Sequence, residues 1–206
     1  MKNFVIAGAG GFGREVYSYL LNSAKNAQIR GFLDDNPNAL EGFGFAHKII
    51  SDFSSYIPLE GDAVIFAVAN PKFKKKIAEI LAARGAEFEN FIHPNAAVSG
   101  SAKIGKGVVA APFCFVQANA QIGDFVSINA AVKISSSAKI GNYSTISSNC
   151  VVGEKAELKE GAFMASSSIL KGGATMFENS FLGANSCAQS CVKKGQTAFG
   201  NPAMPL

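Results

Sequence analysis

The chain is poor in the residues on which much enzyme chemistry depends. In 206 residues it has no tryptophan, two histidines (His47 and His93) and four cysteines. Two imidazoles exclude any mechanism built on a histidine cluster. The cysteines, Cys114, Cys150, Cys187 and Cys191, show no Cys-x-x-Cys spacing. That pattern fits small buried thiols in a reduced chain better than a disulfide framework or a zinc site. Charged residues make up only 17%. No apolar run approaches the roughly 20 residues that cross a bilayer. The apolar stretch at residues 4–7 is too short for a signal peptide. The sequence thus predicts a cytoplasmic protein with no membrane partner. Basic residues are also thinly spread. Residues 1–97 carry ten basic and ten acidic side chains and residues 98–206 nine and five, so the net +4 lies in the second half. No clustered lysines and arginines with interleaved aromatics form a nucleic-acid footprint. The excess suits a phosphorylated small molecule.

What the chain has in quantity is apolar side chains, 48% of the total, enough for a substantial core. In the second half they recur every sixth position. The row begins Val98, Ile104, Ala110, Val116, Ile122 and continues to Leu182, with Ile, Val, Leu or Met at fourteen of its fifteen positions. Four residues behind each large residue is a smaller one, in a row from Ala102 and Val108 through Cys114 and Cys150 to Ser186. Glycine often follows the large residue, as in Ile104-Gly105, Ile122-Gly123 and Ile140-Gly141. A period of six belongs neither to a helix nor to a lone strand. It fits a triangular solenoid in which each sextet is one short wall and a corner. Three sextets make a coil, coils stack about 4.8 Å apart, and residues 98–187 supply five coils before a C-terminal cap.

The first half reads as strand (4–7), glycine turn, helix (14–21), strand (29–33), strand (63–68), helix (72–84) and a lead-in at 88–92. The turn Gly8-Ala9-Gly10-Gly11-Phe12-Gly13 is a G-x-G-x-x-G match between strand and helix, where free backbone N–H groups and the helix dipole favour phosphate. Asp34, about twenty residues on, is placed to accept from a ribose hydroxyl. Asn70 falls at the carboxyl edge of the sheet or serves as a helix N-terminal residue. Lys72, Lys74, Lys75 and Lys76 could reach phosphate or form a solvated helix face. About 95 residues make half of a dinucleotide fold, which favours a mononucleotide over NAD. The expected architecture is an α/β half-Rossmann domain over residues 1–95, then a parallel β-helix over 96–206.

This order of parts, with Ile92-His93-Pro94 at the junction and Gly200-Asn201-Pro202-Ala203 near the end, resembles the bacterial hexapeptide-repeat sugar acyltransferases. The likeness is to the UDP-4-amino-sugar (bacillosamine) N-acetyltransferases and the sialic acid O-acetyltransferases, and it extends over nearly the whole chain. It implies a left-handed β-helix, a homotrimer, acetyl-CoA as co-substrate along the solenoid, no metal, and a nucleotide sugar such as a UDP- or dTDP-amino sugar. It implies nucleotide contacts at Gly10, Gly11, Asp34, Asp35 and Asn70, and cofactor contacts at Ala165, Gly183 and Lys193, with Lys194 beside it. Glu154 stands where relatives commonly have glycine on the pantetheine path.

The catalytic motif departs from the family. Relatives carry Ile-x-His-Asp/Glu one repeat after an Ile-Asn pair. Here the pair is Ile128-Asn129 and the run is Ile134-Ser135-Ser136-Ser137, so Ser136 holds the histidine position and Ser137 that of its carboxylate. A second histidine of some relatives falls at Thr145. Serine has no proton affinity near neutral pH, whereas a histidine base contributes about 10²–10⁴-fold. Three routes remain: unaided attack by a positioned neutral amine, a carboxylate base such as Asp124, or binding without turnover. Two functions therefore compete: an acetyl-CoA-dependent acetyltransferase acting on a nucleotide-linked amino sugar for surface glycans, and a catalytically impaired nucleotide-sugar- and CoA-binding trimer. A nicotinamide oxidoreductase is a weaker third. A zinc β-helix hydratase would need three histidines beyond residue 98, and none is there. An ice-binding solenoid would need a regular threonine or serine ladder.

Overall fold

The computed structural model describes residues 2–23 and 28–206, which fall into two compact units, Met1–Phe91 and Ile92–Leu206. In the first, the strands β1 (Asn3–Ala7), β2 (Gln28–Leu33), β3 (Ile49–Ser51), β4 (Asp62–Phe66) and β5 (Phe88–Glu89) form one parallel sheet in the order β3-β2-β1-β4-β5. Helix α1 (Gly11–Ser23) follows β1, and α2 (Pro71–Ala83) follows β4. β1 and β4 are apolar along most of their length and buried, as parallel strands covered on both faces must be. The strand at 49–51 has no counterpart in the sequence reading. Its three residues form an edge, and its only signal is the pair Ile49-Ile50.

α2 departs from the expected run of phosphate-reaching or solvated lysines at one of its four positions. Ile77 and Ile80 are half-buried, and the buried residues are Ala78, Leu81 and Lys74. Lys74 is fully buried, and desolvation holds its ammonium well below the usual lysine range. Lys72, Lys75 and Lys76 are exposed. The helix starts at Pro71, whose missing N–H costs nothing at the first position, under an Asn70 cap whose Oδ1 accepts from Lys72 N at 3.1 Å.

From residue 97 the chain forms two-residue strands six apart, pairing in parallel with strands eighteen residues away. One wall stacks Ala97, Phe115, Lys133, Val151, Ile169 and Cys187 with the residue following each; a second stacks Lys103, Gln121, Lys139, Glu157 and Thr175; a third stacks Val109, Ser127, Thr145, Phe163 and Phe181. The large row points inward and is buried from Ala110 to Leu182, and the small row from Val108 to Ser186 is buried beside it. The last coil is shortened: Met176 bridges to Val192 and Phe181 pairs with Thr197. The strand Thr197–Gly200 then turns through Asn201-Pro202 and pairs antiparallel with Ala203–Pro205.

The corners are built by residues other than the glycines after the large residues, and the left-handed backbone conformation does not fall on those glycines. It falls on the residue before each small one, at every sixth position from Gly107 to Asn185, and eleven of these are not glycine, among them Phe113 (φ 62°), Ala131 (58°), Ser137 (58°) and Lys155 (56°). Each departs from the usual preference of L-residues. Stacking compensates, because the corner N–H reaches the coil before it, as Ser137 N does to Ala118 O at 3.0 Å and Tyr143 N to Asp124 O at 2.8 Å. The glycines after the large residues serve a different need. A Cβ on Gly141 would lie 2.6 Å from Glu160 N in the next coil.

Candidate functional site

In the first unit the carboxyl ends of four strands open into one cleft of about 880 Å³. The glycine turn lies at its centre. Its glycines divide by role. Gly8 has φ +105°, and a Cβ there would meet Ala67 O at 2.8 Å; a Cβ on Gly13 would collide with the Gly8 carbonyl. Those two are required by the backbone. Gly10 and Gly11 have nothing within 4 Å of a Cβ position, line the cleft, and are not explained by packing. The first turn of α1 holds no acidic side chain of its own, so the positive end of its dipole faces the cleft with the Asp34 carboxylate beside the turn before it.

The other predicted nucleotide residues, Asp34, Asp35 and Asn70, line the same cleft, though much of their bonding capacity is used locally. Asp34 Oδ2 accepts from Ala9 N at 2.8 Å and Oδ1 from Asn36 N at 2.9 Å, so this carboxylate holds the glycine turn in place. Asp35 Oδ1 accepts from Phe53 N at 3.3 Å. Asn70 caps α2. Sequence reading missed the far rim. Asp52 and Ser54 follow the edge strand β3, and Phe73, 55% exposed, rises from α2. Asp52 Oδ1 accepts from Ser54 Oγ and Ser55 N, both at 2.7 Å. The Ser54 hydroxyl first, then Ser55, lower its pKa to about 2. Ile77 and Ile80 add apolar wall, and Lys76 is the one lysine of the lining.

In the second unit, Asn129 and Ser136 sit on the two corners flanking the Lys133–Ile134 strand. Asn129 N donates to Ile146 O at 2.9 Å, and its Oδ1 is buried without a hydrogen-bond partner. Ser136 is half-buried; its hydroxyl donates to Gln117 Oε1 at 3.3 Å and its carbonyl accepts from Lys155 N at 3.1 Å. Thr145 is buried. Asp124 lies on a different corner, where its Oδ1 accepts from Lys106 N at 2.9 Å as part of the stacking, so the geometry gives it no role beside Ser136. Ala165 O accepts from Cys150 Sγ at 3.0 Å, Gly183 is buried under the Phe199 ring, and Lys193 and Lys194 are exposed. Glu154 is exposed and ion-paired to Lys155 at 3.3 Å. The buried thiols carry no nucleophile: desolvation pushes Cys114 up to about 11 and Cys150 up as well. The histidines serve local structure. His47 Nδ1 and Tyr17 Oη are 2.9 Å apart, and His93 Nδ1 accepts from Asn95 N at 3.1 Å, with desolvation lowering its pKa. Among the described residues no cluster of three or more His, Cys, Asp or Glu could hold a metal, and no helix is long and apolar enough to cross a membrane.

Residues 3–81 match the PglD N-terminal domain. UDP-N-acetylbacillosamine N-acetyltransferase of Bacillus subtilis is 35% identical over 114 residues, 53% of this chain and 51% of that protein. The chain thus aligns with about half the length of that curated relative. Over the whole chain the fold is that of WeeI from Acinetobacter baumannii (TM-score 0.88, 23% identity, 100% of both chains). It is equally that of a histidine mutant of GDP-perosamine N-acetyltransferase from Caulobacter crescentus, solved with CoA and GDP-perosamine (TM-score 0.87, 20% identity, 100% of this chain and 97% of that one). These likenesses give residues 3–81 a PglD-type N-terminal domain and give the whole chain, a glycine-turn domain ahead of an eighteen-residue coil, the fold of those solved structures.

Proposed function

We propose that the protein transfers an acetyl group from acetyl-CoA to the amine of a nucleotide-linked sugar, in the cytoplasm and as a homotrimer. The observation that carries this reading is the cleft over Gly10 and Gly11. It presents a helix N-terminus with no acidic side chain in its first turn where a diphosphate would sit, in a chain whose other unit is a solenoid of six-residue repeats. The named relatives act on sugars linked to UDP or GDP, and one was solved with CoA bound. Self-association is supported by the first solenoid wall, which exposes Phe115 (49%) and Ile169 (42%) along one row.

In the reaction the amine nitrogen attacks the thioester carbonyl. The C–S bond breaks, CoA leaves as its thiol, and the amine proton passes to the departing sulfur or to water. Ser136 cannot take that proton, so the amine must arrive neutral and the protein contributes placement. Asn129 Oδ1, buried and unpartnered, is an acceptor able to orient an N–H. The test is thiol release when the protein is mixed with acetyl-CoA and a panel of UDP-, dTDP- and GDP-4-amino sugars. Release with one of them supports the proposal; its absence across the panel refutes it. The second reading, a binder without turnover, is favoured by Ser136 at the histidine position. Calorimetric binding of a nucleotide sugar without thiol release would establish it.

A further inference from the structure

The cleft is asymmetric. From its centre at the glycine turn, one arm runs across the end of β2 to the end of β3, the other to the end of β4 and α2. The second arm holds Lys76, Ile77, Ile80 and the exposed Phe73. The first holds acceptors, namely Asp35 and Asp52, with Ser54 beside them. Asp34 lies between, next to the glycine turn. In sheets of this winding the phosphates lie over the turn after β1 and the ribose lies by the acid at the end of β2. The base then extends toward β3.

We infer that the nucleobase subsite selects guanine, through the carboxylates of Asp35 and Asp52. This rests on the nucleotide-sugar reading above. Asp35 Oδ1 accepts from Phe53 N, and Asp52 Oδ1 from Ser54 Oγ and Ser55 N, so local bonds fix both carboxylates where they line the cleft. Asp52 is fully ionised at neutral pH, its pKa lowered by those bonds. The bond from Phe53 N to Asp35 ties the segment that carries Asp52 to the end of β2, on the same arm of the cleft. Two carboxylates with no cation on that arm favour an edge that only donates. Guanine offers adjacent N1–H and N2–H donors, which one carboxylate accepts side by side. Uracil and thymine offer one N–H flanked by two carbonyl oxygens, which a carboxylate repels. Adenine offers a single amino group beside an acceptor nitrogen.

Isothermal titration of the full chain tests this with GDP, UDP, dTDP, ADP and inosine diphosphate, which lacks only the exocyclic amine of GDP. GDP is expected to bind at least tenfold more tightly than each of the others. Asp52→Asn and Asp35→Asn keep an oxygen for the local backbone bonds and should weaken GDP at least tenfold while changing UDP less than threefold. Apo melting temperatures should stay unchanged. UDP binding as well as GDP, or inosine diphosphate equal to GDP on the unaltered chain, overturns the inference and leaves the nucleotide reading intact. Failure of every nucleotide to bind overturns both.

Discussion

The absence of a base beside the solenoid strand can be tested by putting one back. In Ser136→His/Ser137→Asp the imidazole would occupy a half-buried corner, near Gln117 Oε1, which now takes the Ser136 hydroxyl at 3.3 Å. Position 137 has φ 58°, and Asp is among the residues that tolerate this conformation best. An imidazole there starts from the ordinary value of about 6.5 and the new carboxylate raises it modestly, so titration at about 6–7 is expected. A general base contributes about 10²–10⁴-fold. The double variant should therefore raise kcat/KM at pH 7.5 by at least tenfold, allowing for imperfect placement. The pH profiles separate the cases further. In the unaltered protein the neutral-amine fraction sets the rate, so log kcat/KM should climb with unit slope up to the pKa of the sugar amine, with no inflection from an enzyme base below it. The variant should gain an inflection between pH 6 and 7. Stopped assays of free CoA thiol from pH 5.5 to 9 measure both. A variant no faster than its parent, with both proteins stably folded, would refute the account of Ser136. So would an inflection near pH 6.5 in the unaltered chain.

Gly141→Ala should lower stability by about 1–3 kcal/mol, because its Cβ meets backbone in the next coil 2.6 Å away; thermal unfolding measures the drop. Gly10→Ala has open space around it and should cost less than about 1 kcal/mol, while nucleotide affinity by calorimetry falls tenfold or more. Burial raises Cys114 to about 11 from its ordinary 9. The folded state thus keeps its thiol protonated where the unfolded chain ionises. That contribution to stability is complete below pH 9 and fades as the pH rises toward 11, by roughly 2–3 kcal/mol. Cys114→Ala should flatten that slope in denaturant titrations, and an unchanged slope refutes the assignment. Alkylation at neutral pH should label the exposed Cys191 and leave Cys114 and Cys150 intact in the native protein.

The solenoid was legible because each coil must repeat its neighbour's register, so inward residues recur at fixed spacing with little noise from Ala110 to Leu182. Its corners were not. The left-handed residues include Phe113, Lys155 and Tyr143, whose types carry no such signal, because the stacked backbone imposes the conformation. The glycine turn and Asp34 were legible from spacing; that Asp34 binds Ala9 N was not, since a carboxylate reads alike whether it holds its own loop or a ligand. Asp52 escaped because it depends on a three-residue edge strand. Lys74 escaped because a lysine among lysines reads as a solvated face until tertiary packing decides otherwise. Asn70 fulfils both of its expected placements, capping α2 and lining the cleft.

The row of left-handed residues has a consequence for length variation. Since any sextet can form any corner, losing six residues would leave the interior in phase yet rotate everything downstream by a third of a turn. Asn129 and Ser136 would then keep their spacing but face another side of the prism. Only insertions or deletions of eighteen restore both the interior and the outward orientation. The fold thus counts in sixes while the chemistry on its surface counts in eighteens, and lineages that differ by one sextet above the site cannot share its geometry.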